Sequence, residues 1–144
     1  MMRRFCRAAF LGTLLSFGVY GIGVAQPAGS PATAPEEPVK RTVLSRENLE
    51  GVEGKEMVVI IVELAPGAAV PKHYHPGPEY LYVLEGTLAH EPAGGPLRMM
   101  RAGDFAFDPD KGVHSISNPS TTARARVIGF LVLEKGQPLL FPVK

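Results

Sequence analysis

Residues 67–86 read GAAVPKHYHPGPEYLYVLEG, and the spacing of histidine, proline, glycine and glutamate in this stretch indicates both strands and a first candidate site. In His73-Tyr74-His75 one residue separates the two imidazoles. Alternate side chains of a β-strand lie on the same face, so a strand here points both rings in one direction. The following Pro76-Gly77-Pro78 segment is able to turn the chain into the next strand, which begins at Glu79. The spacing predicts three candidate metal ligands on consecutive strands.

A fourth candidate ligand comes far downstream, in Gly112-Val113-His114, and fits a third strand. Two histidines on a strand are, taken alone, more often surface or core residues than ligands. Three neutral imidazoles and a carboxylate together suit one divalent first-row transition metal. The pattern therefore predicts a metal site formed by His73, His75, Glu79 and His114. The ion stays open among Fe, Mn, Ni, Cu and Zn, although affinity alone favours copper or zinc.

The rest of the downstream sequence consists of short apolar runs separated by turn residues. The runs are Met57–Val62, Glu79–Leu84, Leu97–Met100, Asp104–Phe107 and Arg126–Leu133. No window of eleven or more residues in this region has convincing helical periodicity. Many short strands at intervals of about ten residues are typical of a sandwich or small barrel. We therefore predict one all-β domain over residues 41–144.

The first 40 residues have a different composition. Arg3, Arg4 and Arg7 precede an apolar run from Ala8 to Val24 that ends in small residues, the form of a secretory signal peptide over residues 1–25. An uncleaved membrane anchor is the alternative, but the run is short and interrupted by glycines and serines. Residues 26–40 contain four prolines and predict an extended, disordered linker. The expected location is periplasmic or secreted, with no membrane anchor after cleavage.

Charge and cysteine content exclude several classes of function. The chain has 15 Lys and Arg against 14 Asp and Glu, and loss of residues 1–25 removes three arginines and no acid. A mature chain with a net charge near −2 favours neither nucleic acid nor an anionic membrane. The one cysteine, Cys6, lies in the predicted signal peptide, so the mature protein would have neither a disulfide nor a thiol nucleophile.

Two motifs in order resemble those of the cupins. The chain matches the first motif at every defining position, with Gly67, His73, His75, Glu79 and Gly86. It matches most of the second motif, with Gly103, Asp104, Pro109, His114 and Asn118. The chain thus resembles small single-domain bacterial cupins over about residues 57–133. The resemblance implies a jelly-roll barrel that holds a metal near one mouth through the four residues named above. One departure is visible, because cupins usually have glycine where this chain has Lys111, and the glycine here is Gly112.

Strand alternation gives expectations for the other side chains. Leu81 and Val83 share the face of Glu79 and are expected to line an apolar pocket. Tyr80 and Tyr82 fall on the opposite face and are expected to pack against a second sheet or a subunit interface. The two aromatic residues of the Asp104–Phe107 run are expected in the barrel core.

Other polar residues receive no functional role from the sequence. His90, next to a Pro-Ala-Gly-Gly turn, is expected to be a solvated loop residue. No general acid or base is assignable beyond the metal ligands, since Glu63, Glu85 and Glu91 lie near strand ends where exposed carboxylates are common.

These observations favour a secreted cupin enzyme that acts on a small organic molecule, with dioxygenase-type chemistry as the most common implication of a three-His, one-Glu cupin. Related small cupins also include decarboxylases, isomerases and lyases. A non-catalytic periplasmic protein that binds a small ligand or a metal is the alternative, and a structural barrel with an empty site is a third. A homodimer is expected, because cupins commonly pair through sheet edges.

Overall fold

The computed structural model describes residues 37–143, and these residues form ten β-strands. The strands are β1 (Val39–Asn48), β2 (Lys55–Leu64), β3 (Ala69–Tyr74), β4 (Glu79–Glu85), β5 (Thr87–Pro92), β6 (Arg98–Arg101), β7 (Phe105–Asp108), β8 (His114–Ser117), β9 (Ala125–Glu134) and β10 (Phe141–Pro142). The described part of the chain contains no helix, and hence none long and apolar enough to cross a membrane. The all-β prediction is confirmed for this range.

The strands form two five-stranded antiparallel sheets. Sheet I has the order β1-β2-β9-β4-β7, and sheet II has the order β10-β3-β8-β5-β6. Consecutive strands alternate between the sheets at several points, as in a jelly roll: β2 belongs to sheet I, β3 to sheet II and β4 to sheet I again. The chain therefore brings ends of β3, β4 and β8 close together although they are far apart in sequence.

The core lies between the sheets and follows from period-two alternation. In β2 every second side chain is buried, from Glu56 through Leu64, and β9 alternates in the same way. The two strands pair over ten consecutive positions, so their inward residues, apart from Glu56, form continuous apolar rows. Sheet II contributes Val70, Leu88, Met100 and Ile116 to the same cluster. Burial of each such side chain contributes roughly 1.5–3 kcal/mol.

The loop between β3 and β4 is fixed closely against β9. The amide of Val132 donates to the Pro78 carbonyl at 3.1 Å, and that of Glu134 donates to the Pro76 carbonyl at 3.3 Å. Gly77 is required here, since a Cβ at this position would lie 1.8 Å from the Val132 carbonyl oxygen. The loop that separates His75 from Glu79 is therefore held by backbone contacts rather than by side chains.

Asn118, from the second sequence motif, is a structural residue. Its buried amide nitrogen donates to the carbonyls of Leu64, Ala65 and Ala123, and its side-chain oxygen accepts from the Ser120 amide. These bonds tie the segment after β8 to the end of β2, and they satisfy the buried amide group of the Asn118 side chain.

The expectation that Phe105 and Phe107 lie in the barrel core is wrong. Their side chains are 65% and 49% exposed, and it is Ala106 and Asp108 that face inward from β7. Tyr80 and Tyr82 are also largely exposed on the outer face of β4, so they do not pack against the second sheet. The two aromatic pairs face each other across the strands and form one exposed surface.

Two predicted segments fall wholly or largely outside the described range. The predicted signal peptide, residues 1–25, and most of the predicted linker, residues 26–40, lie outside the described residues. Strand β1 begins at Val39, two residues before the expected start of the domain, and pairs with β2 from that point on.

Candidate metal centre

Strand pairing brings the four predicted ligands together at one end of the barrel. His73, on β3, pairs directly with His114 at the start of β8. His75 follows the end of β3, and Glu79 opens β4 on the other side of the short Gly77 loop. All four side chains are buried. Residues separated by up to 41 positions in sequence thus converge through two sheets and one loop.

The four side chains form a compact cluster of candidate ligands. The ring centroids of His73 and His114 are 4.4 Å apart, and His75 lies 5.0 Å from the first ring and 5.2 Å from the second. One nitrogen from each of the three rings lies within 4.8 Å of the others. The Glu79 Oε2 atom completes the group, at 3.1 Å from His75 Nε2 and 3.6 Å from His114 Nε2.

Backbone carbonyls fix the orientation of the three imidazoles. His73 Nδ1 lies 2.7 Å from the Pro71 carbonyl and His75 Nδ1 lies 2.6 Å from the Leu139 carbonyl, while His114 Nδ1 lies 3.3 Å from that of Gly112. A carbonyl oxygen can only accept, so each Nδ1 carries the hydrogen. The Nε2 lone pairs are then left for a ligand, which is the arrangement found around metal-binding histidines.

Burial keeps two of the histidines neutral at ordinary pH. Desolvation lowers the pKa of His73 from 6.5 to about 4, and it also lowers the pKa of His114, where the nearby carboxylates oppose it only in part. Burial lowers the pKa of His75 too, but the Glu79 carboxylate raises it by more, so the net shift is upward. Neutral imidazole is the form that binds metals, so His73 and His114 need lose no proton.

The donor set fits a metal ion. His75 Nε2 and Glu79 Oε2 are buried and face each other, yet neither has a well-aligned hydrogen-bond partner among the described residues. Buried polar atoms are normally satisfied, so two unsatisfied atoms beside two further Nε2 atoms indicate a place for a cation. Three imidazole nitrogens and one carboxylate oxygen could hold a divalent transition metal.

A second buried polar pair stands behind His114, and the sequence did not reveal it. His90 is 2% exposed, so the expectation of a solvated loop residue is wrong. Its Nε2 atom lies 3.0 and 3.2 Å from the two oxygens of Asp108, and Asp108 Oδ1 lies 3.6 Å from His114 Nδ1. Burial raises the pKa of Asp108, but the bond from His90 and the nearby His114 lower it by more, so the carboxyl is ionised at neutral pH.

Gly129 on β9 leaves room for the Glu79 carboxylate, because it has no side chain. A Cβ at position 129 would lie 2.6 Å from Glu79 Oε1 and 3.2 Å from an Ile60 side-chain carbon. A glycine in the middle of a long apolar strand marks a close approach of this kind. The presence of a glycine within this apolar run was the sequence signal that could have identified Gly129 as part of the site.

The cluster opens into a narrow pocket with mainly apolar walls. The cavity contains about 360 Å³ of empty space, part of which is open to solvent. Apart from the four candidate ligands, its walls are formed by Arg41, Ile60, Val62, Val70, Leu81, Ile116, Leu139 and Leu140. Leu81 therefore lines the pocket as expected, whereas Val83 is fully buried in the core beyond it. Such walls suit the carbon skeleton of a small organic molecule.

Comparison with known proteins agrees with this architecture. A profile of the cupin domain matches residues 60–134, slightly more than half of the chain. The chain belongs to the cupin family. The matched range agrees closely with the motif-based expectation of residues 57–133.

One similar protein of known sequence is the tetracenomycin polyketide synthase protein TcmJ of Streptomyces glaucescens. It is 46% identical over 69 residues, which cover 46% of this chain and 44% of TcmJ. The chain thus matches less than half the length of that relative.

Two solved structures share this fold at low identity. The DMSP lyase DddQ of Ruegeria pomeroyi has a TM-score of 0.60 and 18% identity over 74% of this chain and 52% of its own. The polyketide cyclase RemF of Streptomyces resistomycificus has a TM-score of 0.52 and 19% identity over 69% of this chain and 80% of its own. Identities this low support the fold alone.

Proposed function

We propose that this cupin is a metal-dependent enzyme that acts on a small organic molecule inside the barrel. The observation that carries the proposal is the convergence of three Nε2 atoms and the Glu79 carboxylate at the end of a mainly apolar pocket. A purely structural core would not leave His75 Nε2 and Glu79 Oε2 buried beside each other without well-aligned hydrogen-bond partners.

A divalent metal held by these four residues would polarise a substrate oxygen and, if it were redox-active, activate dioxygen, which is the dioxygenase-type chemistry that we propose as the specific reaction. The chain itself supplies the remaining functions. The three backbone carbonyls hold the imidazoles in one orientation, Glu79 reduces the positive charge of the centre, and the apolar walls exclude water from the bound molecule.

The relatives suggest which compounds to test first. TcmJ and RemF are named for polyketide synthesis and cyclisation, and DddQ is named as a lyase. Polyketides and their fragments are therefore sensible first substrates. The same names favour product analysis for ring closure or elimination beside the measurement of oxygen uptake.

The test is metal content followed by turnover. The mature protein, purified without added metal, is expected to contain about one equivalent of iron, manganese, nickel or copper and to consume oxygen with a substrate from this screen. His73→Ala and His114→Ala should lose both properties, whereas Lys72→Ala, on an exposed neighbouring residue of β3, should keep them. Full activity in a metal-free histidine variant would refute the proposal.

A non-catalytic binding protein is the second candidate, and one observation favours it. Apart from the ligand cluster, Arg41 is the one ionisable residue among the pocket-lining residues, so the pocket offers no separate general acid or base. A protein that binds a compound from the screen in its pocket but converts none of the compounds, with any of the four metals supplied, would identify this alternative.

We also propose that the chain is exported, on the strength of the signal-like segment before residue 26. Expression of the full chain in a bacterial host should yield a periplasmic or secreted protein whose intact mass lacks the first 25 residues. An unprocessed protein recovered from the cytoplasm would contradict export.

A further inference from the structure

We infer that Arg41 forms an anion-binding subsite at the mouth of the pocket, so that the molecule bound there is a small organic carboxylate with an apolar carbon skeleton. The inference rests on the proposed function and names the substrate class of the same site. It depends on the position of Arg41, on its lack of an acidic partner and on the chemistry of the opposite wall.

Strand register places Arg41 on the inner side of sheet I. Arg41 pairs directly with Val62, and Val62 faces the core. Directly opposed residues of paired strands lie on the same face of a sheet. The arginine therefore extends over the open end of the barrel from the edge strand β1, and it lines the same pocket as the ligand cluster.

No described residue neutralises the charge of Arg41. Among the described residues no carboxylate lies within 4.0 Å of its guanidinium, and its side chain makes no hydrogen bond. The other inward arginine of β1, Arg46, is different because it forms an ion pair with the buried Glu56. The neighbouring Lys40 lies near Glu63 at 3.8 Å. Arg41 is thus the basic residue of this strand segment that is left for an external anion.

The wall around Arg41 defines the rest of the ligand. Leu139 and Leu140 come from the segment before β10, and Ile60 and Val62 come from β2. A guanidinium binds a planar carboxylate with two parallel hydrogen bonds, and these are stronger than bonds between neutral groups. The pocket therefore suits a molecule with three parts. Its carboxylate would bind Arg41, its apolar skeleton would lie between the leucines, and an oxygen would point at the ligand cluster.

Benzoate and its neutral analogue benzamide form a matched pair of probes, since they have nearly the same shape and differ in charge. Their binding is measured by isothermal titration calorimetry, with both the cobalt-loaded and the metal-free protein. We expect benzoate to bind more tightly than benzamide, and Arg41→Ala to weaken benzoate binding about tenfold while leaving benzamide unchanged. Arg41→Lys should retain part of the affinity, because it keeps the charge but loses the planar pair of donors.

Lys40→Ala is the control for a general loss of positive charge, because it removes a lysine on the other face of the same strand. Equal affinity of benzoate and benzamide, no binding of benzoate by the wild type, or an equal loss in Arg41→Ala and Lys40→Ala would each overturn the inference. Cobalt content is determined on the same samples. A protein that binds benzoate through Arg41 but takes up no metal would support the anion subsite and contradict the proposed enzyme, so the two failures are distinguishable.

Discussion

Strands β4 and β7 are neighbours in sheet I, and both alternate aromatic residues with smaller or polar ones. On β4 the inward residues are Glu79, Leu81 and Val83, and Tyr80 is exposed. On β7 the inward residues are Ala106 and Asp108, and the two phenylalanines are exposed. The strands follow the same rule, yet the sequence predicts the faces of β4 correctly and those of β7 incorrectly. A candidate ligand predicts the inward face of a strand better than hydrophobicity does.

The largest expected effect is on the inner face of β4. Glu79→Ala removes the one carboxylate among the four predicted ligands, and we expect the purified protein to lose its bound metal on dialysis, because three neutral imidazoles do not offset the charge of the ion. Tyr80→Ala, one residue further on the outer face, should keep one equivalent. Metal analysis of the dialysed proteins measures the difference. Equal metal content would mean that the two faces of β4 do not separate binding from non-binding residues.

The inner face of β7 should give the next largest effect. Asp108→Asn keeps the size of the side chain but removes the charge that faces His114 and His90. Loss of such a partner behind a ligand typically weakens metal binding 10- to 100-fold. Competition with a chromophoric chelator measures the affinity, and Phe107→Ala, on the outer face, should change it little. Wild-type affinity in Asp108→Asn would mean that the Gly112 carbonyl alone orients His114.

The difference between the two strands shows which parts of the candidate site can be predicted from the sequence. The spacing of His73, His75 and Glu79 involves neighbours in sequence, and strand alternation then suffices to place their side chains. The contact of His90 with Asp108 and His114 depends on the pairing of β5 with β8 and on the approach of β7 from the other sheet. No local pattern encodes that juxtaposition. Large aromatic residues also suggest burial, because they are apolar. An inward Phe105 and Phe107 would place Asp108 on the outer face, so the sequence did not predict its inward position.

The outer faces of the same strands provide a further prediction. Phe107, Tyr80 and Phe130 lie opposite one another on β7, β4 and β9, and the first two rings are 4.9 Å apart. Aromatic residues are enriched at interfaces, and a second copy of this chain is the partner that we propose for this row. The dimer is expected to dissociate at least tenfold more readily in the triple serine variant at these positions.

Light scattering over a concentration series measures this change in mass. The control variant carries serine at Leu97 and Met99, which are somewhat more exposed than the three aromatic residues and belong to the β6 region of sheet II. A wild type that is monomeric at all concentrations, or a control that dissociates as readily as the triple variant, would contradict the proposed interface.

The smallest effect concerns the turns that precede two of the predicted ligands. Gly77 leads into Glu79, and Lys111 leads into His114. Lys111 has φ = 57°, and it is the one non-glycine residue with positive φ in the described range. A side chain in this left-handed region costs roughly 1 kcal/mol, and cupins usually have glycine at this position.

The Lys111 amide donates to the His75 carbonyl at 3.1 Å, a bond that the turn keeps whatever the side chain. Lys111→Gly should therefore raise the free energy of unfolding by about 0.5–1 kcal/mol in urea titrations, with unchanged metal affinity. Lys135→Gly, at an exposed residue without positive φ, should instead lower it. Destabilisation of both variants would mean that the β7–β8 turn holds no strain for glycine to release.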